Sequence, residues 1–513
     1  MSFFSILHPE SPIGNERVND ASEEPAHFHD LNLDQIVDAI TVDKQEYNLK
    51  PFFYTPLTNL LAIAYRQEIM KDIESGGALL QEIKDFSKRM RDMRNCLTSA
   101  EKLYYQFQKE RQFLNAIRIY VSAVEALLQA LNQATLNSRG LLAFRDLLER
   151  YAQSERFKTL FRETRELVSA LAAIRYGLFV NGNRVTVSPT NSELDYSAIV
   201  ENLFSKFKDG TVKDYRFKLP DPNMGHVQAQ ILDRVALLNP SEFKTLKEYC
   251  EKNKNFLEKF ISDFDREIQF YVAYLDYMIL FKNAGLKFCY PEVIHDSKDI
   301  HCREGFDLAL ARQIIRKGSS VVSNNFFTRG NERIFIVTGP NQGGKTTFSR
   351  TFGQLHYLAV LGLPVPGIET RLFLFDHLLT HFEHGESREF LRGKLKDDLV
   401  RIHEILNRAT PRGVIILNEI FSSTSVKDAL YLSERIIERI LRLDCLCVCV
   451  TFLDRLSSLD EKIVSLVAEI SPHDPARRTY KVERAPANGR AYALAIAEKY
   501  RLTYGRIKKR IHL

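Results

Sequence analysis

The sequence predicts a multidomain protein, with a mainly α-helical region followed by an α/β domain built around a phosphate-binding loop. Two observations support this fold class. Apolar residues recur every three or four positions from Leu57 to about Tyr176, a pattern typical of long amphipathic helices. Farther along, an apolar run at 334–337 is followed by a glycine-rich turn and then a helical stretch. Strand, loop and helix in this order are what a phosphate-binding loop requires.

The first 30 residues are predicted to form a flexible tail. They carry Pro9, Pro12 and Pro25 among acidic and polar residues, a composition that disfavours regular structure. Helical spacing begins at Leu31 and continues to about Tyr176. Periodicity by itself does not distinguish an ordinary all-α bundle from a core that carries long arms.

A segment of different character, residues 176–236, interrupts the helical pattern. Two runs of β type flank Asn181 and Gly182, a pair that predicts a hairpin. Basic and aromatic residues are then interleaved at Phe204, Lys206, Phe207, Lys208, Lys213, Tyr215, Arg216, Phe217 and Lys218. Interleaving of this kind suits a nucleic-acid backbone with stacked bases. It also suits a solvated edge with a few core aromatic residues.

A second helical pattern runs from Pro240 to Gly285. At about 1.5 Å per residue it predicts one rod of roughly 65 Å, long enough to connect a distant binding element with the domain that follows. Ser241 is the expected N-cap and Gly285 the expected C-cap. We therefore predict a helical region over residues 31–285 and an α/β domain over residues 286–513.

The α/β domain is organised around its glycine-rich turn, which matches the Walker A pattern. The predicted nucleotide-binding residues are Gly339, Pro340, Asn341, Gln342, Gly343, Gly344, Lys345, Thr346 and Thr347. The glycines let backbone N–H groups point at phosphate oxygens, and the start of the helix adds partial positive charge. Lys345 is expected to reach the outer phosphates and Thr346 to ligate Mg²⁺. The predicted ligands are therefore ATP and Mg²⁺.

The amino-acid sequence of this loop resembles that of the corresponding loop in the MutS family. Residues 338–347 follow that family's pattern Thr-Gly-Pro-Asn-x-Gly-Gly-Lys-Ser/Thr-Thr. Downstream, residues 361–366 resemble its Gly-x-x-Val-Pro turn. Residues 414–419 stand where the family has its Walker B strand, and residues 423–428 resemble its Gly-Thr-Ser-x-x-Asp loop.

The resemblance extends upstream of the α/β domain. Residues 274–276 and 290–291 resemble the end of the family's long lever helix and its entry into the ATPase domain. Near the front, residues 54–57 and 65–67 resemble the opening of the family's core domain. The resemblance covers roughly residues 35–500 and is strongest over 330–460.

The resemblance implies an ABC-type ATPase domain that forms a homodimer, each site being completed by the other subunit. It also implies a helical core with lever arms and a short clamp-like insert. Glu419 and Lys345 are the implied catalytic residues, and Asn418 joins Thr346 at the metal. The hydrophobic pair at 321–322, with Val322 as the candidate, is implied to pack on the adenine ring.

A polar stretch between Phe382 and Leu395 stands where ABC-type ATPases place the loop that contacts the partner subunit's γ-phosphate. An ordinary exposed loop remains an alternative for each residue in it. The residues considered for the contact are Gly385, Ser387, Arg392 and Gly393.

Four departures from the family pattern qualify the expected activity. The family's wedge motif, of Gly-Asp-Phe-Tyr-Glu type, is not found near the start, so we expect no mismatch-recognition domain. Asn418 replaces the Walker B aspartate, and Phe452 stands where a sensor histidine is expected. The chain also stops at Leu513 without an evident C-terminal dimerisation or nuclease module. Lower turnover with retained ATP binding is the expected consequence.

Composition limits which cellular compartment and which binding partners are expected for the protein. The net charge of +6 on 513 residues permits nucleic-acid binding without arguing for it. The seven cysteines do not suggest a disulfide framework. Cys445, Cys447 and Cys449 suit the face of a buried strand better than a metal site. With no signal peptide or membrane-spanning run evident, a soluble cytoplasmic protein without membrane contact is expected.

The sequence therefore favours a MutS-like, slow ATPase. Its nucleotide state would move lever arms that grip DNA, and branched or distorted DNA is favoured over mismatches. Two alternatives remain: a nucleotide-switched scaffold that binds protein partners without DNA, and a degenerate ATPase that binds ATP without turnover.

Overall fold

The computed structural model describes residues 5–9, 23–189, 224–383, 393–470, 478–487, 500 and 502–511. Its helices are α1 (His27–Leu31), α2 (Leu33–Thr41), α3 (Lys50–Tyr54), α4 (Leu60–Ser75), α5 (Gly77–Lys102), α6 (Gln106–Gln133), α7 (Arg139–Gln153), α8 (Glu155–Ala173), α9 (His226–Leu238), α10 (Pro240–Lys252), α11 (Lys259–Asn283), α12 (Leu308–Arg316), α13 (Lys345–Val360), α14 (Lys394–Arg408), α15 (Val426–Leu443) and α16 (Tyr504–Ile511). Its strands are β1 (Tyr176–Asn181), β2 (Arg184–Pro189), β3 (Phe288–Cys289), β4 (Glu292–Ile294), β5 (His301–Gly305), β6 (Asn324–Phe327), β7 (Ile334–Thr338), β8 (Val365–Pro366), β9 (Glu369–Phe373), β10 (Leu378–His381), β11 (Val414–Asn418), β12 (Leu446–Val450), β13 (Ile463–Ile470) and β14 (Arg478–Arg484).

The chain divides into two compact units. The first unit comprises residues 1–75, 137–141 and 266–513, and the second comprises residues 76–136 and 142–265. The fold is thus mainly helical and multidomain, with mixed sheets. The division differs from the expected boundary at 285/286, because the N-terminal helices belong to the unit that holds the glycine-rich loop.

A six-stranded sheet forms the centre of the first unit, in the order β10-β11-β12-β7-β13-β14. Its first five strands are parallel, and β14 runs antiparallel to β13. Asn418 pairs with Val450, and Val450 pairs with Val337. The carboxyl ends of β11, β12 and β7 therefore lie side by side, at the edge where open α/β sheets bind ligands.

Strands β7, β11 and β12 are buried along their whole length, as expected for strands covered on both faces. Cys445, Cys447 and Cys449 are fully buried in one hydrophobic cluster with side chains of β7 and β11. Their placement confirms the prediction that they serve as small core residues. A second sheet in this unit has four strands, in the order β4-β9-β5-β6.

The N-terminal region is ordered where the structure describes it, so the prediction of a flexible tail through residue 30 is wrong there. Ile6, Leu7 and Phe28 are fully buried. Glu267 accepts hydrogen bonds from the Ser5 hydroxyl at 2.8 Å and the Ile6 amide at 2.9 Å. Apolar burial and these hydrogen bonds outweigh the composition that suggested a tail.

Helices near the N-terminus pack on α13, the helix that begins at the glycine-rich loop. Gln354 Nε2 donates to the carbonyl of Leu31 at 2.8 Å. The Tyr357 hydroxyl donates to the carbonyl of Phe53 at 2.9 Å. These long-range contacts explain why residues 23–75 belong to the first unit.

Where the structure describes it, the second unit consists of packed helices and a hairpin. Strands β1 and β2 are antiparallel, and Asn181 pairs with Arg184 around a two-residue turn in which Gly182 has φ 57°. The predicted hairpin is confirmed. The basic and aromatic residues at 204–218 lie outside the described residues.

Helices α5 and α6 pack against each other in the second unit. Contrary to the sequence expectation, α6 is long and apolar enough to cross a membrane by length and composition. Half of its most apolar 18-residue window is buried within the protein, however. Burial of Leu114, Ile117 and Val124 in α6 is typical of a core helix.

The predicted single rod over residues 240–285 is wrong, because α10 ends at Lys252 and α11 begins at Lys259. Asn253 Nδ2 donates to the carbonyl of Tyr249 at 2.9 Å, a side-chain bond of the kind that competes with helix. Phe256 is buried and makes edge contacts with the rings of Phe113 and Tyr120. This aromatic packing holds the intervening segment out of a continuous helix.

Candidate nucleotide-binding site

The glycine-rich loop joins β7 to α13, so the predicted strand, loop and helix are all present. Gly339 and Gly344 have φ angles of 119° and 97°, a region that favours glycine. A Cβ atom on Gly339 would lie 2.9 Å from the carbonyl oxygen of Ala468 in β13. The loop is therefore curled by its glycines and held by close packing against the neighbouring strand.

The other loop residues predicted to bind nucleotide lie between these two glycines or just after them. The Gly343 amide donates to the carbonyl of Pro340 at 3.1 Å, closing a turn. Gln342, at φ 58°, also adopts a left-handed conformation. The carbonyl of Asn341 accepts a hydrogen bond from Arg478 Nε at 3.2 Å. Thr347 lies in the first turn of α13.

Lys345 is the first residue of α13, and its side chain folds back over the loop. Nζ donates to the carbonyls of Gly339 at 3.0 Å and Pro340 at 3.2 Å. The same nitrogen lies 4.3 Å from the centroid of the Phe452 ring. Burial lowers the pKa of the Lys345 ammonium, and the nearby Glu419 carboxylate opposes that shift.

Thr346 and Asn418 meet at the edge of the sheet, where the Thr346 hydroxyl donates to Asn418 Oδ1 at 3.0 Å. Asn418 ends β11 and is buried. Both side chains supply uncharged oxygen atoms, a donor type that Mg²⁺ accepts, and nucleotide-bound Mg²⁺ commonly takes few protein ligands beside phosphate oxygens and water. The pair therefore fits the predicted ion. Within the described part of the chain, no cluster of three His, Cys, Asp or Glu side chains is arranged to hold a metal unaided.

Glu419 follows Asn418 in a left-handed conformation with φ 55°. Its amide donates to the carbonyl of Val450 at 2.9 Å, which ties the turn after β11 to the end of β12. Burial raises the pKa of its carboxyl group, Lys345 opposes the shift, and Glu383 adds to it. The turn thus places a half-buried carboxylate of raised pKa near Lys345, at the same edge as Thr346.

The end of β12 supplies Phe452 to this edge. The amide of Thr451 donates to the carbonyl of Val337 at 3.1 Å, which fixes the residues after β12 beside the end of β7. Phe452 is 51% exposed. Its ring cannot donate or accept hydrogen bonds as an imidazole does.

Three residues at the loop were not identified from the sequence: Ala468, Arg478 and Tyr480. Tyr480 has φ 61°, and its carbonyl oxygen would lie 3.5 Å from a Cβ atom on Gly344. No local pattern places these residues at the loop, because they reach it through the pairing of β13 with β7 and β14. The largely apolar run of β13 is the signal that the sequence offers for this strand.

Val322 is partly buried just before β6. The first residue of that strand, Asn324, donates from Nδ2 to the carbonyl of Tyr480 at 3.2 Å. This contact connects β6 with residues at the loop. Contact of Val322 with an adenine ring stays a prediction.

The stretch considered for contact with a partner subunit is largely outside the described residues, including Gly385, Ser387 and Arg392. Gly393 is described and exposed, and it caps the N-terminus of α14. Its carbonyl accepts a hydrogen bond from the Lys396 amide at 2.9 Å. Its role toward a second subunit stays a prediction.

Comparison with known proteins points to one family. Residues 335–507 match the family model described as MutS domain V. The chain is 22% identical to the DNA mismatch repair protein MutS of Thermotoga sp. (strain RQ2) over 457 residues, which covers 80% of this chain and 54% of that protein. It therefore spans about half the length of this relative.

Shorter matches lead to the same family. The DNA mismatch repair protein MutS of Zymomonas mobilis is 30% identical over 176 residues, covering 34% of this chain and 20% of that protein. Endonuclease MutS2 of Gemmatimonas aurantiaca is 28% identical over 192 residues, covering 37% of this chain and 23% of that protein. The chain belongs to the MutS family.

Proposed function

We propose that this chain binds ATP with Mg²⁺ at residues 339–347 and hydrolyses it slowly. The observation that carries the proposal is the 3.0 Å hydrogen bond between Thr346 and Asn418. It joins the loop after β7 to the end of β11, directly before Glu419. The residues proposed to bind phosphate and metal therefore lie at the same edge of the sheet as the Glu419 carboxylate.

Each group has a distinct proposed role. Backbone N–H groups of the loop and the Lys345 ammonium bind phosphate oxygens. Thr346 and Asn418 hold Mg²⁺, which when bound neutralises phosphate charge. Glu419 accepts a proton from the water that attacks the terminal phosphate, and its raised pKa makes it a better base.

Slow turnover follows from the neutral Asn418 side chain and the apolar Phe452 ring. Asn418 removes a negative charge beside the proposed ion, although its amide oxygen can still accept a hydrogen bond from a metal-bound water. Phe452 offers no hydrogen bond to phosphate or water. Because a positioned base contributes about 10²- to 10⁴-fold, Glu419 retains hydrolysis at a reduced rate.

We further propose that the nucleotide state moves helical arms that grip DNA, and that two copies complete each other's sites through the ATPase domain. Family membership supports this proposal, since relatives are named DNA mismatch repair proteins. Branched or distorted DNA is proposed as the substrate in place of a mismatch. The sequence holds two Phe-x-Glu triplets of the kind found in that wedge motif, at 161–163 and 256–258. Neither offers an exposed wedge, because the first lies within α8 and Phe256 is buried.

Steady-state ATP hydrolysis, measured without DNA and with duplex or branched DNA, tests the proposal. Lys345→Ala is expected to abolish ATP binding, while Glu419→Ala is expected to retain binding and lose turnover. Glu461→Ala is the matched control, because Glu461 is exposed and precedes β13 at the opposite end of that strand. Equal turnover in the Glu419→Ala and Glu461→Ala proteins would contradict the catalytic assignment.

Salt dependence separates the two principal alternatives. A protein that grips DNA phosphates must lose DNA affinity steeply as salt rises, because binding releases counterions. A nucleotide-switched scaffold or a degenerate ATPase would also be consistent with the neutral Asn418 and the apolar Phe452. ATP binding without turnover, together with indifference to every DNA structure, would contradict the proposal and support one of these two alternatives.

A further inference from the structure

Phe452 is an unusual neighbour for a phosphate-binding lysine. Its ring is 51% exposed, so it gains less from burial than a core phenylalanine does. The ring centroid nevertheless lies 4.3 Å from Lys345 Nζ, well within the range in which an aromatic face attracts a cation. Burial of Lys345 keeps water from weakening this attraction.

Two carbonyl oxygens and one aromatic ring surround the Lys345 ammonium. An ammonium has three N–H donors. Two of them bind the carbonyls of Gly339 and Pro340, and the Phe452 ring lies against the same nitrogen. A phosphate oxygen therefore competes with these partners for the Lys345 ammonium.

We propose that Phe452 is a positioning residue that holds the Lys345 ammonium on the loop carbonyls and thereby weakens ATP binding. This inference rests on the proposed function of the loop. The ring attraction belongs to the folded-back position of Lys345 and is lost when the ammonium moves toward phosphate. A contact made in one of two states shifts their equilibrium toward that state.

The size of the effect follows from the strength of such pairs. Loss of the cation–ring attraction is expected to tighten ATP binding by about threefold to tenfold. An ordinary structural role for Phe452 predicts the opposite, since a loosened site would bind ATP less well. The sign of the change therefore distinguishes the two roles.

Stepwise fluorination of the Phe452 ring tests the inference without removing the side chain. Each fluorine withdraws charge from the ring face and weakens its attraction for a cation, while the size of the ring changes little. The dissociation constant for ATP, measured by calorimetry, should fall with each added fluorine and fall again in Phe452→Leu. A constant that stays level or rises along the series would overturn the inference.

Phe373 supplies a matched control, because its ring lies 5.7 Å from Lys298 Nζ at the end of β9. Fluorination there should leave the dissociation constant for ATP unchanged. A parallel change at Phe373 would show that fluorination acts through general effects and would overturn the assignment to Lys345.

A second readout does not depend on nucleotide. In protein with isotope-labelled lysine, the NMR signals of the Lys345 side chain should show ring-current shifts. These signals are assigned by comparison with Lys345→Arg, and the shifts should disappear in Phe452→Leu. If no variant binds ATP, the proposed function fails, and these shifts still test the contact. Identical Lys345 signals in the two proteins would overturn the inference whatever the outcome with ATP.

Discussion

Arg66 donates from Nη1 to the carbonyl of Leu361 at 3.1 Å, directly after α13. Its Nε donates to the carbonyl of Leu7 at 3.0 Å, and its guanidinium lies 5.2 Å from the ring of Phe270. Arg66 is fully buried, and burial lowers its pKa to about 10, so it remains charged at neutral pH. One buried cation thus joins the N-terminal segment to the far end of the helix that starts at Lys345.

Replacement of Arg66 by methionine is expected to destabilise the first unit by about 1–3 kcal/mol, because two buried carbonyl groups lose their donor. Urea unfolding of the variant measures the loss. Arg442→Met is the matched control, since Arg442 is 80% exposed at its side chain. Equal unfolding midpoints for the two variants would show that the bridge adds no stability.

Gly339→Ala is expected to destabilise the loop by about 2 kcal/mol or more, because the residue is left-handed and has no room for a Cβ atom. The nearest obstacle would be the backbone of Ala468 at 2.9 Å, which cannot rotate away. Reduced ATP affinity should accompany the loss. Gly77→Ala is the control, since nothing lies within 4 Å of its Cβ position, and it should leave ATP binding unchanged.

Glu419 is expected to make stability depend on pH. Burial raises its pKa above the ordinary value of 4.5, so the folded state holds this proton more tightly than the unfolded chain does. The stabilisation is complete below about pH 4.5 and is lost as pH rises through the raised pKa. Glu419→Gln should therefore be more stable than the unaltered protein at neutral pH and similar to it in acid. Denaturant unfolding across this range checks the sign, and parallel curves for the two proteins would refute it.

Asn418→Asp is expected to lower the Mg²⁺ concentration required for half-maximal ATP hydrolysis by about tenfold. The added carboxylate would lie beside Thr346 Oγ1, which is 3.0 Å from Asn418 Oδ1 in the structure. It would supply the negative charge that the amide lacks. Titration of hydrolysis with Mg²⁺ measures the change. Asn407→Asp, in an exposed turn of α14, controls for added negative charge. An unchanged Mg²⁺ requirement in Asn418→Asp would show that residue 418 does not take part in binding the ion.

Local patterns predicted the elements that depend on neighbouring residues. The turn at Gly182 and the curl at Gly339 depend on backbone conformations that glycine adopts readily. The apolar pattern also predicted the buried strand β7 and the helix after it, because the spacing of apolar residues indicates which faces are buried. These features required no knowledge of distant contacts.

Distant contacts decided the features that were predicted wrongly. The composition of the first 30 residues suggested a tail, but Ile6, Leu7 and Phe28 are buried. The helical pattern beyond Pro240 continued through the break between Lys252 and Lys259, where Phe256 packs against two rings of α6. In both cases tertiary burial outweighed local preference.

Residue types and their spacing were enough to predict the order of strand, loop and helix and to identify Lys345, Thr346, Asn418 and Glu419. Tertiary structure alone decided what surrounds them. Ala468 packs against Gly339, and the Phe452 ring lies on the Lys345 ammonium, because β13 and β12 flank β7 in the sheet. Strand order brings together residues more than a hundred positions apart in the chain, and no local pattern encodes that proximity.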